Sequence, residues 1–305
     1  MHELIQTIVN GLTTGLLYAL IALGYSMVYG VLQLLNFAHG DVYMVGAYIG
    51  YFVLDGFGGS GNVGAPWPVV VLVMFLAAGF GAGVLGVAIE RFAYRPLRDA
   101  PRIAPLITAL GVSFVLENSV LLLFGGFTKS YNTPSWISFN TGVRVFGVNV
   151  DAVQLTIFGV AGVMMWGLTV LVSRTTLGKS MRAVASDREA AEMLGINVDR
   201  TIALTFFIGS VMAGVAGVMS GLAFNQISNT FGFLAGLYAF TAAVVGSIGS
   251  IPGSMIGGVV IGLCQSFASG YVSSKYTDLI VFGILIVVML IRPTGIFGRA
   301  ALQKV

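Results

Sequence analysis

Long apolar stretches separated by short polar segments make up most of this 305-residue chain. A helix needs about 20 apolar residues to cross a hydrocarbon core of about 30 Å. The candidate spans are residues 5–30, 36–54, 68–90, 103–124, 152–173, 201–224, 233–250, 251–270 and 277–291. The second, seventh and eighth are short or interrupted by glycine, so the pattern predicts eight or nine transmembrane helices, some of them broken.

The composition supports the same class of protein. Hydrophobic residues make up 57% of the chain and charged residues 9%, against about 25% charged residues in soluble domains. A soluble fold of this size could not bury so much apolar surface. We therefore predict an all-α polytopic membrane protein, with residues 1–305 forming one membrane domain. The lone Cys264 excludes a disulfide framework or a multi-cysteine metal site.

The basic loops predict the orientation in the membrane. Residues 91–102 carry four arginines, residues 174–200 carry five basic residues, and the tail carries Arg292, Arg299 and Lys304. Cytoplasmic loops are enriched in Lys and Arg, so all three segments are placed in the cytoplasm. These loops also account for the net charge of +3 without a nucleic-acid partner. Nine spans would put the N-terminus outside, whereas an incomplete second span would put it inside.

Two loops are expected on the outer side, the glycine-rich segment 55–67 and the longer segment 125–151. The longer one has the pattern of a strand-rich hairpin, with Tyr131 and Trp136 near the membrane interface. It serves either as a cap or as a docking surface. The first apolar stretch lacks a basic region before it, so we interpret it as a retained span and not as a signal peptide.

The segment 174–200 is the most charged part of the chain. It holds nine of the 27 charged residues. Ser186 and Glu189 match the S-x-x-E capping box, and Gly195 is suited to the left-handed position that ends a helix. The segment therefore predicts an exposed helix over 187–194, about 12 Å long.

Two short motifs resemble nucleotide-binding sites, but the residues around each do not match those that such a site requires. Gly81–Gly86 matches G-x-G-x-x-G inside a predicted span with no preceding strand. Leu177–Ser180 resembles the end of a phosphate-binding loop, but position 173 is serine where the first glycine belongs. The chain is therefore expected to have no ATP site of its own. Glycine pairs are better explained by close helix packing: Gly79/Gly83, Gly217/Gly221 and Gly258/Gly262.

Polar residues within the spans are few, and intramembrane polar groups often mark transport paths. Asn36, His39, Gly40 and Asp41 form a group at the start of span 36–54. Asn36 either caps that helix or, with its neighbours, faces a translocation path where the helix is broken. The remaining candidates for the path are Glu117, Thr241 and Ser247. An unpaired Glu117 would cost about 2.5 kcal/mol or more, so it requires a partner or a proton.

A weak internal repeat relates residues 36–50 to residues 236–258, since both are interrupted apolar stretches. Such pairs point to an inverted repeat with the transport path between the halves. Catalytic motifs are missing, and the chain has only two histidines. These features favour a pathway protein that takes its energy from a partner. A self-contained carrier or channel is the alternative, and an intramembrane enzyme is disfavoured.

The stretch 15–48, with LNFAHGD at its centre, resembles the membrane subunit of branched-chain amino acid ABC transporters, the LivH-type permeases. Glu189-Ala190-Ala191 followed by Gly195 also fits the EAA-x3-G spacing with which ABC importers dock on their ATPases. The resemblance assigns ATPase coupling to a set of residues within 174–200: Ser186, Asp187, Arg188, Glu189, Ala190, Ala191, Leu194 and Gly195. The I-x-L-P part of the general motif is missing around Thr205.

The resemblance also implies partners and a location. The partners would be a second homologous permease, two cytoplasmic ATPases and a periplasmic or lipid-anchored binding protein. ATP would bind only to the ATPases, so this chain would need no cofactor and no metal. The complex would lie in the bacterial cytoplasmic (inner) membrane. The implied substrates are branched-chain amino acids; related permeases carry urea, short amides or other amino acids.

Overall fold

The computed structural model describes residues 2–58, 66–98, 100–101, 103–131, 143–145 and 148–298. Seven helices in this part of the chain are long and apolar enough to cross a membrane, judged by length and composition. The helices are α1 (His2–Leu32), α2 (His39–Gly56), α3 (Trp67–Ile89), α4 (Ile103–Phe124), α5 (Ala152–Arg174), α6 (Thr176–Ser186), α7 (Arg188–Met193), α8 (Val198–Phe224), α9 (Phe231–Gly246), α10 (Ile251–Phe267) and α11 (Thr277–Ile291). Helix α9 is shorter but also apolar. With α2, which is 18 residues long but less apolar, the helices are roughly consistent with the predicted eight or nine spans.

Two sets of four helices, α1–α4 and α8–α11, repeat the same arrangement. Helix α1 packs on α10 and α9, and α8 packs in the same way on α3 and α2. The first helix of each set is followed by a left-handed residue, Gln33 with φ 55° and Asn225 with φ 54°. Helices α3 and α10 each continue into a π-turn, Glu90–Tyr94 and Ala268–Val272. The repeat predicted from the two interrupted stretches is therefore part of a larger one.

The two halves meet where α2 crosses α9. A methyl group on Gly40 would overlap the Gly232 carbonyl oxygen, and one on Gly232 would overlap that of Gly40. A methyl group on Gly40 would also lie 2.9 Å from Cα of Gly236, and one on Gly232 would lie 2.8 Å from Cβ of Met44. Earlier residues of α2 therefore lie against later residues of α9, so the two helices cross in an antiparallel direction. The repeat is therefore inverted.

Glycines let the central helices approach backbone to backbone, as is common in membrane bundles. In the α1–α10 crossing, a methyl group on Gly262 would overlap the backbone of Gly15. In the equivalent α3–α8 crossing, a methyl group on Gly214 would lie 2.5 Å from the Ala78 carbonyl oxygen. The predicted close packing of helix backbones is confirmed for Gly258/Gly262 and for Gly217, whereas Gly83 and Gly221 make room for the rings of Phe207 and Tyr131. It is wrong for Gly79, where a methyl group would make only an ordinary contact with Val211 at 3.4 Å.

Short strands join the outer loops to the helices. Strand β1 (Lys129–Ser130) pairs antiparallel with β4 (Gln226–Ile227), and β2 (Val143–Val145) pairs antiparallel with β3 (Val148–Val150). Tyr131, which was predicted to lie near the membrane interface, packs inside the chain. Its ring is buried, and its hydroxyl donates a hydrogen bond to the Ala47 carbonyl. Trp136, residues 59–65 of the glycine loop, and Arg299 and Lys304 of the tail lie outside the described residues.

Candidate functional site

The charged segment 174–200 folds into two short helices that meet at an abrupt corner. Helix α6 ends at Ser186, and Asp187 is extended, with φ −159° and ψ 115°. The Asp187 carboxylate accepts a hydrogen bond from the Ala190 amide at 2.9 Å and caps α7. The predicted Ser186 capping box is therefore wrong, and the helix spans 188–193 in place of 187–194. Aspartate is as good a helix N-cap as serine, and the two residues are adjacent in the sequence, so the pattern alone cannot tell which one caps α7.

The other end of α7 closes as predicted. Gly195 adopts φ +81°. Its amide donates to the Glu192 carbonyl at 2.9 Å, and the Ile196 amide donates to the Ala191 carbonyl at 3.0 Å. This pair of bonds is the Schellman motif. Helix α7 is thus fixed at both ends, although it is only six residues long.

The surface of α7 is unusually apolar for an exposed helix. Met193 is 85% exposed and Leu194 is 80% exposed, while Ala191 faces inward at 2%. Glu189, Ala190 and Glu192 are also exposed, as is Gly195. The segment that the sequence analysis assigned to coupling therefore presents two large apolar side chains beside two carboxylates.

A group of charged residues joins this segment to the loop after α3. The Arg98 guanidinium is bonded to Glu90 and, at 2.5 Å, to the Asp199 carboxylate in the first turn of α8. Arg95 forms a second ion pair with Asp199. The side chains of Arg98 and Glu90 are only 4% and 3% exposed. Sequence pattern alone does not predict this group, because arginines in a basic loop indicate only orientation and Glu90 lies inside a predicted span.

The polar residues at the start of α2 are buried together. Residues 33–38 are not helical, and α2 begins at His39 with Ala38 preceding it. Asn36 does not cap α2 with its side chain, because its Oδ1 accepts a hydrogen bond from the Tyr94 hydroxyl at 2.8 Å. The capping alternative is therefore wrong. Helix α2 itself is uninterrupted from His39 to Gly56, so the predicted interruption of span 36–54 is limited to the non-helical residues before it.

His39 fills a pocket that a glycine leaves open. A methyl group on Gly24 would overlap the His39 ring, so the absence of a side chain at Gly24 makes room for it. The ring packs edge-on against Tyr25, with 4.9 Å between centroids. Its Nε2 is buried and has no hydrogen-bond partner among the described residues.

Asp41 and Glu117 lie on facing sides of α2 and α4. The Ser113 hydroxyl donates to Asp41 Oδ2 at 2.5 Å, whereas Oδ1 is buried without a partner in the described part of the chain. Glu117 is one helical turn beyond Ser113 and is half-buried. Of the two predicted alternatives for Glu117, a partner or a proton, the first finds no support in the hydrogen bonds and ion pairs within the described ranges. Asp41 thus joins α4 to the core.

Thr241 and Ser247, the candidates on α9, differ in their surroundings. Thr241 is fully buried, and its hydroxyl donates to the Leu237 carbonyl of its own helix at 2.9 Å. Ser247 follows the end of α9 with φ 112°. It lines a cavity of about 760 Å³ at the α9–α10 turn, on the side of the molecule that carries α6. The cavity is lined also by Tyr29, Gln33, Arg182, Ser250 and Phe297.

The structure therefore brings the candidate residues together in three separate places. These are the exposed coupling segment, the buried start of α2, and the cavity beside Ser247. Within the described residues, no group of three or more His, Cys, Asp or Glu side chains could hold a metal ion.

Comparison with known proteins decides the family. The model of the family described as "Branched-chain amino acid transport system / permease component" matches residues 7–290. The chain belongs to this permease family. It is 44% identical to the high-affinity branched-chain amino acid transport system permease protein BraD of Pseudomonas aeruginosa, over 100% of this chain and 99% of that protein.

Two further relatives extend the comparison. The permease is 42% identical to the protein LivH of Escherichia coli K12, over 99% of this chain and 97% of LivH. It is 26% identical to the permease protein LivM of Salmonella typhimurium, over 93% of this chain and 68% of LivM. No solved structure matches the chain. Because the family consists of transport permease components, this permease is a membrane transport subunit and not an enzyme.

Proposed function

We propose that this permease forms the path by which branched-chain amino acids enter the cytoplasm in an ATP-driven ABC importer of the bacterial cytoplasmic membrane. The names of BraD and LivH support the substrate class, since both are about as long as this chain and similar throughout. A small apolar amino acid also suits a core whose spans carry few charged residues.

The partners follow from this proposal. Two cytoplasmic ATPases supply the energy, one of them docking on α7, and a periplasmic or lipid-anchored binding protein delivers the substrate. The similarity to LivM, itself named as a permease of the same kind of transport system, favours a second, homologous permease beside this one. The outer strands around Lys129–Ser130 and Val143–Val150 are the proposed contact for the binding protein.

The observation that carries the proposal is the surface of α7. A six-residue helix capped at both ends, with Met193 and Leu194 largely exposed, has the rigidity and the apolar area that a docking helix needs. The residues that we assign to docking are Ser186, Asp187, Arg188, Glu189, Ala190, Ala191, Leu194 and Gly195. The α2 start (Asn36, His39, Gly40, Asp41), together with Glu117, Thr241 and Ser247, is assigned to the translocation path.

The proposed path runs from the α2 start to the cavity beside Ser247. His39 Nε2 and Asp41 Oδ1 are buried acceptor or donor atoms without partners in the described residues. Buried polar atoms are normally paired, so these two are suited to bind the polar end of a substrate. The cavity of about 760 Å³ would then hold the substrate before release.

Reconstitution tests this proposal. The permease, its neighbouring permease and the two ATPases are incorporated into proteoliposomes, and uptake of labelled leucine from a loaded binding protein is measured. We expect uptake only with the ATPases and ATP, with competition by isoleucine and valine and none by urea. Leucine flux without the ATPases would identify a self-contained carrier or channel and overturn the proposal.

A pair of glutamate variants tests the docking assignment. Glu189→Ala should lower ATPase association and uptake, because it removes a charge from the exposed face of α7. Glu3→Ala removes an equally exposed carboxylate from the far end of α1 and should leave both unchanged. If Glu189→Ala and Glu3→Ala gave the same ATPase association and the same uptake, the assignment of Glu189 to docking would be wrong.

A further inference from the structure

We propose that the segment Glu90–Arg98 positions the start of α2 in response to movement of α7, with Arg98 and Tyr94 as the positioning residues. This inference rests on the proposed function, because it assumes that α7 receives the ATPase. The segment connects the end of α3 to α4, and it makes polar contacts with the α8 start at one end and with residue 36 at the other.

The first contact joins Arg98 to the coupling segment. Asp199 is the second residue of α8 and lies four residues after Gly195, so only a short stretch of chain separates it from α7. Asp199 accepts hydrogen bonds from Arg95 and Arg98 at once. Arg98 is buried and also bonded to Glu90. Because a buried charge loses free energy with each partner it gives up, Arg98 is expected to follow Asp199 and to carry Glu90 with it.

The second contact joins Tyr94 to the start of α2. The Tyr94 hydroxyl donates to Asn36 Oδ1 at 2.8 Å, and both side chains are buried. The backbone carbonyl of Asn36 in turn accepts a hydrogen bond from the His39 amide at 3.1 Å. Residues 33–38 form no helix of their own. The Tyr94 bond therefore fixes a stretch of chain that has few other hydrogen bonds.

An open pocket lies beside the connecting segment. It has a volume of about 390 Å³ and is lined by Gln33 and Leu34, by Arg98, and by Asp187 and Arg188 at the start of α7. The chain before α2, the end of the connecting segment and the start of α7 therefore border one space that other side chains do not fill.

The backbone of the connecting segment is also easier to deform than a regular helix. Residues Glu90–Tyr94 form a π-turn, and Arg95–Leu97 form a 3₁₀ turn with Pro96 in it. Single π-turns within helices are frequent at functional sites, and proline removes one backbone donor. The segment can therefore change its winding while Arg98 and Tyr94 keep their bonds.

The test measures leucine uptake and ATP hydrolysis in the same proteoliposomes, with leucine-loaded binding protein. Tyr94→Phe removes the hydroxyl but keeps the ring, which packs against Phe206 with 5.5 Å between centroids. Arg98→Met removes the charge. We expect either variant to keep stimulated ATP hydrolysis and to lower the leucine transported per ATP by about fivefold, the lower end of measured couplings between sites.

The two variants should act on the same connection. The double variant is therefore expected to lower the ratio no further than the more severe single variant, because the effects of residues in one network are not additive. Tyr271→Phe is the matched control, since that tyrosine is 56% exposed and lies in the equivalent π-turn of the second repeat. Its ratio should equal that of the unmodified permease.

Three results would overturn the inference. The first is that Tyr94→Phe transports the same amount of leucine per ATP as the unmodified permease. The second is that uptake falls only in proportion to a loss of assembled complex. Independent, multiplying effects in the double variant are the third. Failure of the unmodified complex to bind ATPases or to require them would instead contradict the proposed function. The two failures are therefore distinguishable.

Discussion

Replacing Leu194 with serine removes an apolar side chain from the surface of α7 without disturbing the packing of the permease. Leu194 is 80% exposed in the isolated chain. Full burial of a leucine is worth about 1.5–3 kcal/mol. Covering the exposed four-fifths in the complex is therefore expected to contribute about 1.2–2.4 kcal/mol to ATPase binding. The Kd of the ATPase is expected to rise by about 7- to 50-fold.

The assay is binding of purified ATPase subunits to the immobilised permease pair in detergent, without ATP. Phe127→Ser is the matched control, because Phe127 is 88% exposed but lies beyond Phe124, at the end of α4 that is remote from Arg98 and α7. It should leave the Kd unchanged, and neither variant should lower the amount of folded permease. A Kd for Leu194→Ser within about twofold of the unmodified value would refute the docking assignment of α7.

Three further predictions concern a cap, a crossing and a hydrogen bond. Gly195→Ala should weaken ATPase binding by about 1 kcal/mol, whereas Gly195→Asn should do so less, because asparagine tolerates the left-handed backbone; equal Kd values would contradict this. Gly262→Leu should abolish stable folding, measured by thermal unfolding, because the new side chain would force α10 away from the Gly15 backbone. Gly283→Leu is the control and should leave folding intact, because a Cβ at Gly283 would have no neighbouring atom within 4 Å. Ser113→Ala should lower the unfolding free energy by about 1–3 kcal/mol, since Asp41 then loses its hydrogen bond; an unchanged unfolding temperature would refute it.

Much of the fold follows directly from hydrophobicity and glycine. Spans 103–124 and 277–291 agree with the ends of α4 and α11, because apolar length alone determines them. The break before α2 and the left-handed Gly195 were also predictable, since each depends on neighbouring residues in the chain. Local rules describe local structure well.

Contacts between distant parts of the chain were harder to predict. The bonds of Arg98 with Asp199 and of Tyr94 with Asn36 join residues that are far apart in sequence. No sequence spacing relates the two residues of either pair. A basic loop also indicates the same membrane orientation whether or not its arginines form ion pairs. Helix α6 was missed for a different reason. Its residues 176–186 include glycine and two cations, and the segment is held partly by the bond from Arg182 to the Val172 carbonyl.

The paired π-turns are used differently in the two halves of the molecule. A π-turn adds one residue to a helix, and here it occurs after α3 and after α10, followed each time by a 3₁₀ turn. The first turn carries Glu90 and Tyr94, which are buried and bonded to Arg98 and Asn36. The second, Ala268–Val272, has no charged residue. The same backbone bend is therefore held by buried polar contacts in one half and formed from small, apolar and hydroxyl residues in the other.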